Sequence, residues 1–166
     1  MLALAFFAFV AADHCRVENA RYVLRHQPSV TATFRPVDSG PEWPAGVAMA
    51  IRFGDSGRRL WWLPWNGGTD GRQHLASTTD VTRPGWHPPS PDGGPRPLGD
   101  MAYVGTTAAY DVIGSVPRRG GPAPAHILLP GLRDAAWHGD TGQRDRAATQ
   151  FFDLVGCAPA TRSGSR

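Results

Sequence analysis

The chain has 166 residues, and its 17 basic side chains against 14 acidic ones give a formal charge of +3 at pH 7. All the basic residues are Arg, scattered singly except for the pairs Arg58, Arg59 and Arg118, Arg119, so no basic stripe follows the pattern of a phosphate backbone. The length suits one domain, and the charge pattern argues against nucleic-acid binding.

The N-terminal segment, residues 1–12, contains no charged and no polar side chain and is followed at once by Asp13. An apolar run that ends in small residues is typical of a secretory signal peptide. It is shorter than the about 20 residues that a helix needs to cross a bilayer. We therefore predict a leader, then one exported β-rich domain at 13–166, secreted or periplasmic, with a disordered tail at 158–166 and no stable membrane span. A buried N-terminal segment is the alternative.

The two cysteines, Cys15 and Cys157, lie near opposite ends of the predicted domain. An even number of cysteines in an exported chain indicates a disulfide bond, and no Cys-x-x-Cys spacing suggests redox or zinc chemistry instead. We predict that they form one disulfide bond; two unrelated buried thiols are the alternative.

The segment from Tyr22 to Val37 is predicted to be extended, with Pro28 dividing it into two strands. Its apolar and polar residues alternate, which is the pattern of a half-buried strand. The alternating sets are Val30, Ala32 and Phe34 against Thr31, Thr33 and Arg35.

The clearest element is a β-hairpin formed by residues 47–53 and 58–65 around the turn Gly-Asp-Ser-Gly at 54–57. A turn centred on Asp55 and Ser56 fixes the register. It pairs Ile51 with Leu60, Met49 with Trp62 and Val47 with Pro64, which places these residues on one face, the core face.

The opposite face of this hairpin carries two large indoles over small alanines, with arginines at its rim. Such a face is either covered by the segment that begins at Asn66 or left open as an aromatic platform for a carbohydrate or a small aromatic ligand. Cover is favoured, because apolar patches of this size are uncommon on soluble monomers. If the platform is open, the candidate binding residues are Trp61, Trp65, Arg52 and Arg59.

Residues 66–100 are rich in Gly and Pro, and we predict one long loop there, the most mobile internal part of the domain. Two Gly-Gly-Pro-x-Pro stretches, at 93–97 and 120–124, are interpreted as stiff connectors. Further strands are predicted at 109–116 and 126–129.

A C-terminal helix is predicted after Asp140, which can cap it with Gln143 three residues on. Apolar residues follow at helical spacing up to Gly156, namely Ala148, Phe151, Phe152 and Val155. The expected fold is therefore mainly β, α+β at most: a small antiparallel β domain with a long Gly/Pro-rich loop and one C-terminal helix, tied back by the disulfide bond.

No phosphate loop, dinucleotide fingerprint, His-Glu-x-x-His or Gly-x-Ser-x-Gly motif occurs, so we assign no catalytic residue, cofactor or metal site. The residues that come nearest to a metal set are His74, Asp80 and His87, with His126 or His138 as further ligands. Together, Ser77, His74 and Asp80 are the three residue types of a hydrolase triad. Neighbours in one loop rarely align as a triad, however, and hydrogen bonds that form turns explain these residues better. Asp134 and His138, four residues apart, are interpreted as a helix-end pair.

We expect a non-catalytic binding or structural module of the cell envelope. Its partner would be a carbohydrate, a small aromatic ligand or an envelope protein, and not nucleic acid. The alternative is a small secreted hydrolase with a site under residues 66–100.

Overall fold

The computed structural model of the chain describes residues 15–67, 71–138 and 144–158. These residues form ten strands in one antiparallel sheet, one short 3₁₀ turn at Val17–Asn19 and one α-helix, α1, at Leu132–His138. The strands are β1 (Ala20–Leu24), β2 (Gln27–Pro36), β3 (Val47–Phe53), β4 (Arg59–Gly67), β5 (Arg72–Thr78), β6 (Asp100–Ala102), β7 (Val104–Thr106), β8 (Val112–Ile113), β9 (His126–Leu128) and β10 (Phe151–Cys157). The expected fold class, mainly antiparallel β with one helix and a disulfide bond, is confirmed.

The sheet curls so that β6, its first strand, continues through Tyr103 into β7, which lies beside its last strand, β8. Its strand order is β6-β5-β4-β3-β2-β1-β10-β9-β7-β8. Strand β6 pairs with β5 and β7 pairs with β9, yet only Tyr103 separates β6 from β7 along the chain. The two strands are therefore one continuous, bent path that joins one end strand of the sheet to the strand beside the other end.

The interior of the curled sheet is the main hydrophobic core. Alternate residues of β2 point into it, as predicted: Val30, Ala32 and Phe34 are buried while Thr33 and Arg35 are exposed. The largest side chains that are fully enclosed there include Tyr22, Met49, Ile51, Trp62, Leu75, Ile127 and Phe152. Burial of each such side chain contributes about 1.5–3 kcal/mol from the hydrophobic effect alone.

The predicted hairpin is present in the predicted register, with Ile51 opposite Leu60 and Met49 opposite Trp62. Its second face also lies in a core, because residues outside the sheet pack over it. This second core contains Trp43, Ala48, Ala50, Trp61, Leu63 and Ala76, with Trp65, Trp86, Val37 and Val81 at its edge. Burial on both faces explains the nearly uninterrupted apolar sequence of β4.

The predicted disulfide bond joins Cys15 to Cys157, with Cα atoms 5.6 Å apart. Cys157 ends β10, directly opposite Ala20 of β1, so the bond fastens the start of the described chain to the sheet.

The C-terminal helix is a wrong prediction: Phe151–Cys157 is strand β10. It lies between β1 and β9 and forms ladder hydrogen bonds with both. Pairing with a strand on each side outweighs a weak local preference for helix. The one helix of the described chain is instead α1, and the proposed cap residues Asp140 and Gln143 lie outside the described residues.

Residues 66–100 are not one loop, because Arg72–Thr78 forms strand β5 and pairs with β4 along its whole length. The remaining irregular segment, residues 79–99, packs against the second core through two indole hydrogen bonds. Trp43 donates its Nε1–H to the carbonyl oxygen of Pro89 (2.9 Å), and Trp86 donates its own to Oγ1 of Thr78 (3.1 Å). The segment thus covers one side of the sheet.

Two predictions lie outside the described residues, the leader at 1–12 and, except for Ala158, the tail at 158–166. Among the residues that the structure does describe, no helix has the length and apolar character needed to cross a bilayer.

Candidate functional site

Four side chains from distant parts of the sequence meet at one end of the sheet: Arg25, Tyr110, His126 and Asp153. We call them the polar cluster. Arg25 occupies the turn between β1 and β2, and Tyr110 lies in the hairpin loop between β7 and β8. His126 begins β9, and Asp153 lies in β10 directly opposite it.

The pair at the centre of the cluster is His126 and Asp153. Their strands are antiparallel neighbours, so the register places the two side chains side by side. Nδ1 of His126 lies 2.7 Å from Oδ1 of Asp153. A carboxylate at Nδ1 fixes the orientation of the ring and leaves Nε2 as its second polar atom. Within the described chain, that nitrogen has no protein partner.

Arg25 holds the carboxylate of Asp153 from the other side through a two-pronged contact. Its Nε donates to Oδ2 at 2.9 Å and its Nη2 donates to Oδ1 at 2.7 Å. Partial burial alone would raise the pKa of Asp153, but the hydrogen bonds from Arg25 and His126 outweigh it and lower the pKa of the carboxyl. The hydrogen bonds that Arg25 donates to Asp153 and to the hydroxyl of Tyr110 raise the pKa of the guanidinium. Asp153 is therefore a fixed anion at neutral pH.

Tyr110 covers the imidazole. Its ring stacks on His126 with the centroids 4.3 Å apart and the planes within 1°, and Nη2 of Arg25 donates to its hydroxyl at 2.6 Å. The ring of Phe151 meets both rings edge-on. Tyr110 adopts φ 66°, a left-handed conformation that costs a non-glycine residue roughly 1 kcal/mol. The residue nevertheless stays 46% exposed, and a strained backbone at an exposed aromatic residue indicates a candidate functional position.

The polar cluster borders a cavity of about 1090 Å³. Another wall is mainly apolar and comes from residues 113–125, which are the end of β8 and the segment that links it to β9. The lining includes Ile113, Val116, Pro117, Pro122, Ala123, Pro124, Ala125 and Leu154, together with Ser115 and Arg118. An apolar concavity with a few converging polar groups is the usual form of a small-molecule site.

The wall is fixed to the rest of the protein by several hydrogen bonds, three of which lie at residues 123–125. The hydroxyl of Tyr22 donates to the carbonyl oxygen of Pro124 (2.9 Å), the amide of Ala123 to that of Cys15 (2.7 Å) and the amide of Leu154 to that of Ala125 (3.0 Å). Burial raises the pKa of the Tyr22 hydroxyl, so it remains a neutral donor. The second Gly-Gly-Pro-x-Pro stretch, predicted as a stiff connector, thus forms part of an anchored cavity wall.

The four residues predicted as a binding platform do not form an open aromatic face. Trp61 is only 5% exposed, and Trp65 is half-buried between Trp43 and His74. Arg52 and Arg59 are exposed at the rim, and the guanidinium of Arg59 lies 5.7 Å from the centre of the Trp61 ring. The face is covered by residues 79–99, the outcome favoured above, and binding by these four residues stays a prediction.

The candidate metal and hydrolase residues are each engaged in separate local contacts. His74 lies against Trp65, and Ser77 accepts a hydrogen bond from the amide of Leu98. Asp80 accepts from the amide and hydroxyl of Thr82, and these bonds lower its pKa. His87 is exposed. Across 15–67, 71–138 and 144–158, no three His, Cys, Asp or Glu side chains are grouped so that they could hold a metal ion.

The predicted helix-end contact of His138 is made to backbone rather than to carboxylate, since its Nδ1 lies 3.1 Å from the carbonyl oxygen of Asp134. Of the residues singled out from the sequence, only His126 belongs to the polar cluster. Arg25, Tyr110 and Asp153 were not predicted, because no motif links positions 128 residues apart.

Comparison with known proteins supplies no function by similarity. No family model, no curated protein and no solved structure matches the chain. Its function therefore has to be inferred from the chemistry of the site itself.

Proposed function

We propose that this protein is an exported binding protein that takes a small ligand with an apolar body into the cavity beside the polar cluster. The observation that carries the proposal is the cavity of about 1090 Å³, which is mainly apolar and has Arg25, Tyr110, His126 and Asp153 among its lining residues. Drug-sized ligands occupy cavities of about 300–1,000 Å³, so this volume, just above that range, is large enough for a small molecule.

The arrangement of rigid and exposed groups supports binding. Tyr110 keeps its ring partly exposed at the cavity although its backbone is strained, and the stack on His126 holds the ring in one orientation. A ring fixed in this way loses little conformational entropy when a ligand packs on it. The anchored wall at 122–125 adds a second pre-formed surface.

Export to the cell envelope or the medium is part of the proposal. It is supported by the apolar sequence of residues 1–12 and by the disulfide bond between Cys15 and Cys157. Such bonds persist mainly in oxidising compartments. The location could be tested by expressing the full chain and sequencing the N-terminus of the protein recovered outside the cytoplasm. Loss of about the first twelve residues is expected, and an intact N-terminus in the cytoplasm would contradict export.

Binding can be tested with a neutral apolar probe, N-phenyl-1-naphthylamine, whose fluorescence rises in apolar sites. The oxidised protein is expected to bind the probe. Ser115→Trp, which places an indole in the cavity from an exposed position, should abolish most of the signal. Thr79→Trp adds the same indole at an exposed position outside the cavity and should leave the signal unchanged. Absence of binding, or equal binding by both variants, would contradict the proposal.

A further inference from the structure

The cavity wall carries more positive than negative charge. Its charged residues are Arg25 and Arg118 against Asp153, which gives a net charge of +1 with His126 neutral. Two carboxylates beside the lining, those of Asp111 and Glu18, make local contacts. Asp111 accepts from the hydroxyl of Thr107 (3.4 Å), and Glu18 accepts from the amide of Gly120 (2.9 Å). A single positive charge beside an apolar cavity attracts a ligand that carries one negative charge.

The polar cluster also has donors to spare. Arg25 uses Nε and Nη2 for Asp153 and Tyr110, and its Nη1 has no protein acceptor in the described chain. The hydroxyl of Tyr110 accepts from Arg25 and makes no donation to any described protein atom. Nη1 of the guanidinium therefore offers two N–H groups, and the phenol offers one O–H.

The one charged acceptor of the lining is already engaged, and Nε2 of a neutral His126 is a further, uncharged acceptor. The carboxylate of Asp153 already accepts two hydrogen bonds from Arg25 and faces Nδ1 of His126. A ligand ammonium group would meet two guanidinium groups and one engaged carboxylate, so a cation is disfavoured. A neutral hydroxyl group on the ligand would accept hydrogen bonds from Arg25 and Tyr110, but it would not neutralise the positive charge of the cavity lining.

We infer that the ligand of this cavity is a monocarboxylic acid with an apolar body, whose carboxylate is bound by Arg25, Tyr110 and Arg118. This inference rests on the proposed function and names its ligand class. Charge-assisted hydrogen bonds from a guanidinium to a carboxylate are about twice as strong as neutral ones, and this difference sets the specificity. The apolar body packs on the wall formed by Val116, Pro122 and Pro124.

Three probes with the same apolar body separate charge from packing: 4-phenylbutyrate, 4-phenylbutan-1-ol and 4-phenylbutylamine. Dissociation constants are measured by titration at pH 7 and low ionic strength, and the site is located from backbone amide shifts in NMR spectra. We expect the carboxylate to bind about tenfold more tightly than the alcohol and the amine to bind most weakly. The shifted amides should lie in residues 107–126 and 151–154.

Two variants and a matched control complete the test. Arg118→Gln removes an exposed guanidinium of the lining and leaves the polar cluster intact. It should weaken the binding of 4-phenylbutyrate about fivefold and leave the binding of 4-phenylbutan-1-ol unchanged. Arg25→Gln should weaken the binding of 4-phenylbutyrate more than Arg118→Gln does. Arg35→Gln removes the same charge at an exposed position of β2, outside the cavity, and should change the binding of neither 4-phenylbutyrate nor 4-phenylbutan-1-ol.

The outcomes distinguish the two proposals. If N-phenyl-1-naphthylamine enters the cavity but the three phenylbutyl probes bind equally well, the monocarboxylate inference is wrong and the proposed function stands. If the amine binds most tightly, the charge argument is overturned. If the neutral probe does not enter the cavity at all, the proposed function fails and the inference fails with it.

Discussion

Asp153 and His126 face each other across strands β10 and β9, with Oδ1 and Nδ1 2.7 Å apart. The carboxylate is shared with Arg25, whose two donors lie 2.7 and 2.9 Å away. One anion thus orders an imidazole and a guanidinium that come from opposite sides. Loss of the charge on Asp153 should therefore be felt at both.

Replacement Asp153→Asn should lower stability at pH 7 by on the order of 1 kcal/mol, since the contact is partly exposed. The folded-state pKa of Asp153 is lowered from its ordinary 3.8. Its contribution is therefore complete above that value and is lost as the pH falls through the folded pKa. Urea unfolding of both proteins between pH 7 and pH 2 should show the difference shrinking only below about pH 4.

The control for this prediction is Asp92→Asn, which changes an exposed carboxylate in residues 79–99. It should unfold like the unmodified protein throughout the pH range. A stability difference for Asp153→Asn that stays constant down to pH 2 would show that the carboxylate charge is not what holds the polar cluster.

The disulfide bond closes a loop with a sequence separation of 142 residues. In the chain-entropy model a loop of that length stabilises the fold by at most about 5 kcal/mol. The double variant Cys15→Ala, Cys157→Ala should melt at a clearly lower temperature, measured by circular dichroism, and keep its β spectrum at 25 °C. A reducing agent should lower the melting temperature of the unmodified protein by the same amount as the double substitution does. It should leave the melting temperature of the variant unchanged. Equal melting temperatures with and without reductant would contradict this role.

The indole of Trp65 lies over the backbone of Gly67, and a Cβ at position 67 would come within 1.6 Å of Cζ3 of that ring. The ring has little room to move, because Trp43 packs edge-on against it and the guanidinium of Arg96 lies 5.7 Å from its centre. We expect Gly67→Ala to destabilise the protein by about 1–3 kcal/mol, the usual effect of overpacking. Gly114→Ala is the control, since nothing lies within 4 Å of its Cβ. Equal urea midpoints for both variants would contradict the prediction.

Local sequence patterns were sufficient for the hairpin of β3 and β4, because a four-residue turn between two apolar runs fixes the pairing of Ile51 with Leu60. They were insufficient for β10. Phe151, Phe152 and Val155 suit one face of a helix equally well, and only the distant partners β1 and β9 make the segment a strand. The candidate site was out of reach for the same reason, since its four residues are brought together by strand pairing and not by spacing.

Arg96 joins the irregular segment 79–99 to the second core. Its Nη2 donates to the carbonyl oxygen of Pro91 at 2.7 Å, and its guanidinium lies within 5.8 Å of the ring centres of both Trp43 and Trp65. Arg96→Ala should loosen this cover, and chymotrypsin should then cleave within 79–99 several-fold faster. Arg83→Ala, at an exposed position of the same segment, should be cleaved at the original rate. Equal cleavage of both variants would show that the segment was already mobile, as the sequence alone suggested.

The exposure of the tryptophans separates a covered face from an open binding platform. Trp137 is 37% exposed, whereas Trp61 is 5% exposed and Trp62 is enclosed. The guanidinium groups of Arg144 and Arg146 lie 5.2 and 6.0 Å from the Trp137 ring, so they should also concentrate iodide near it. We expect Trp137→Phe to remove most of the iodide quenching of tryptophan fluorescence and Trp61→Phe to leave it almost unchanged. With acrylamide, a neutral quencher, Trp137→Phe should again remove more quenching than Trp61→Phe, but the difference between the two variants should be smaller. If Trp61→Phe removes as much quenching as Trp137→Phe, the second face of the hairpin is open in solution, and Trp61, Trp65, Arg52 and Arg59 become the better candidates for a binding surface.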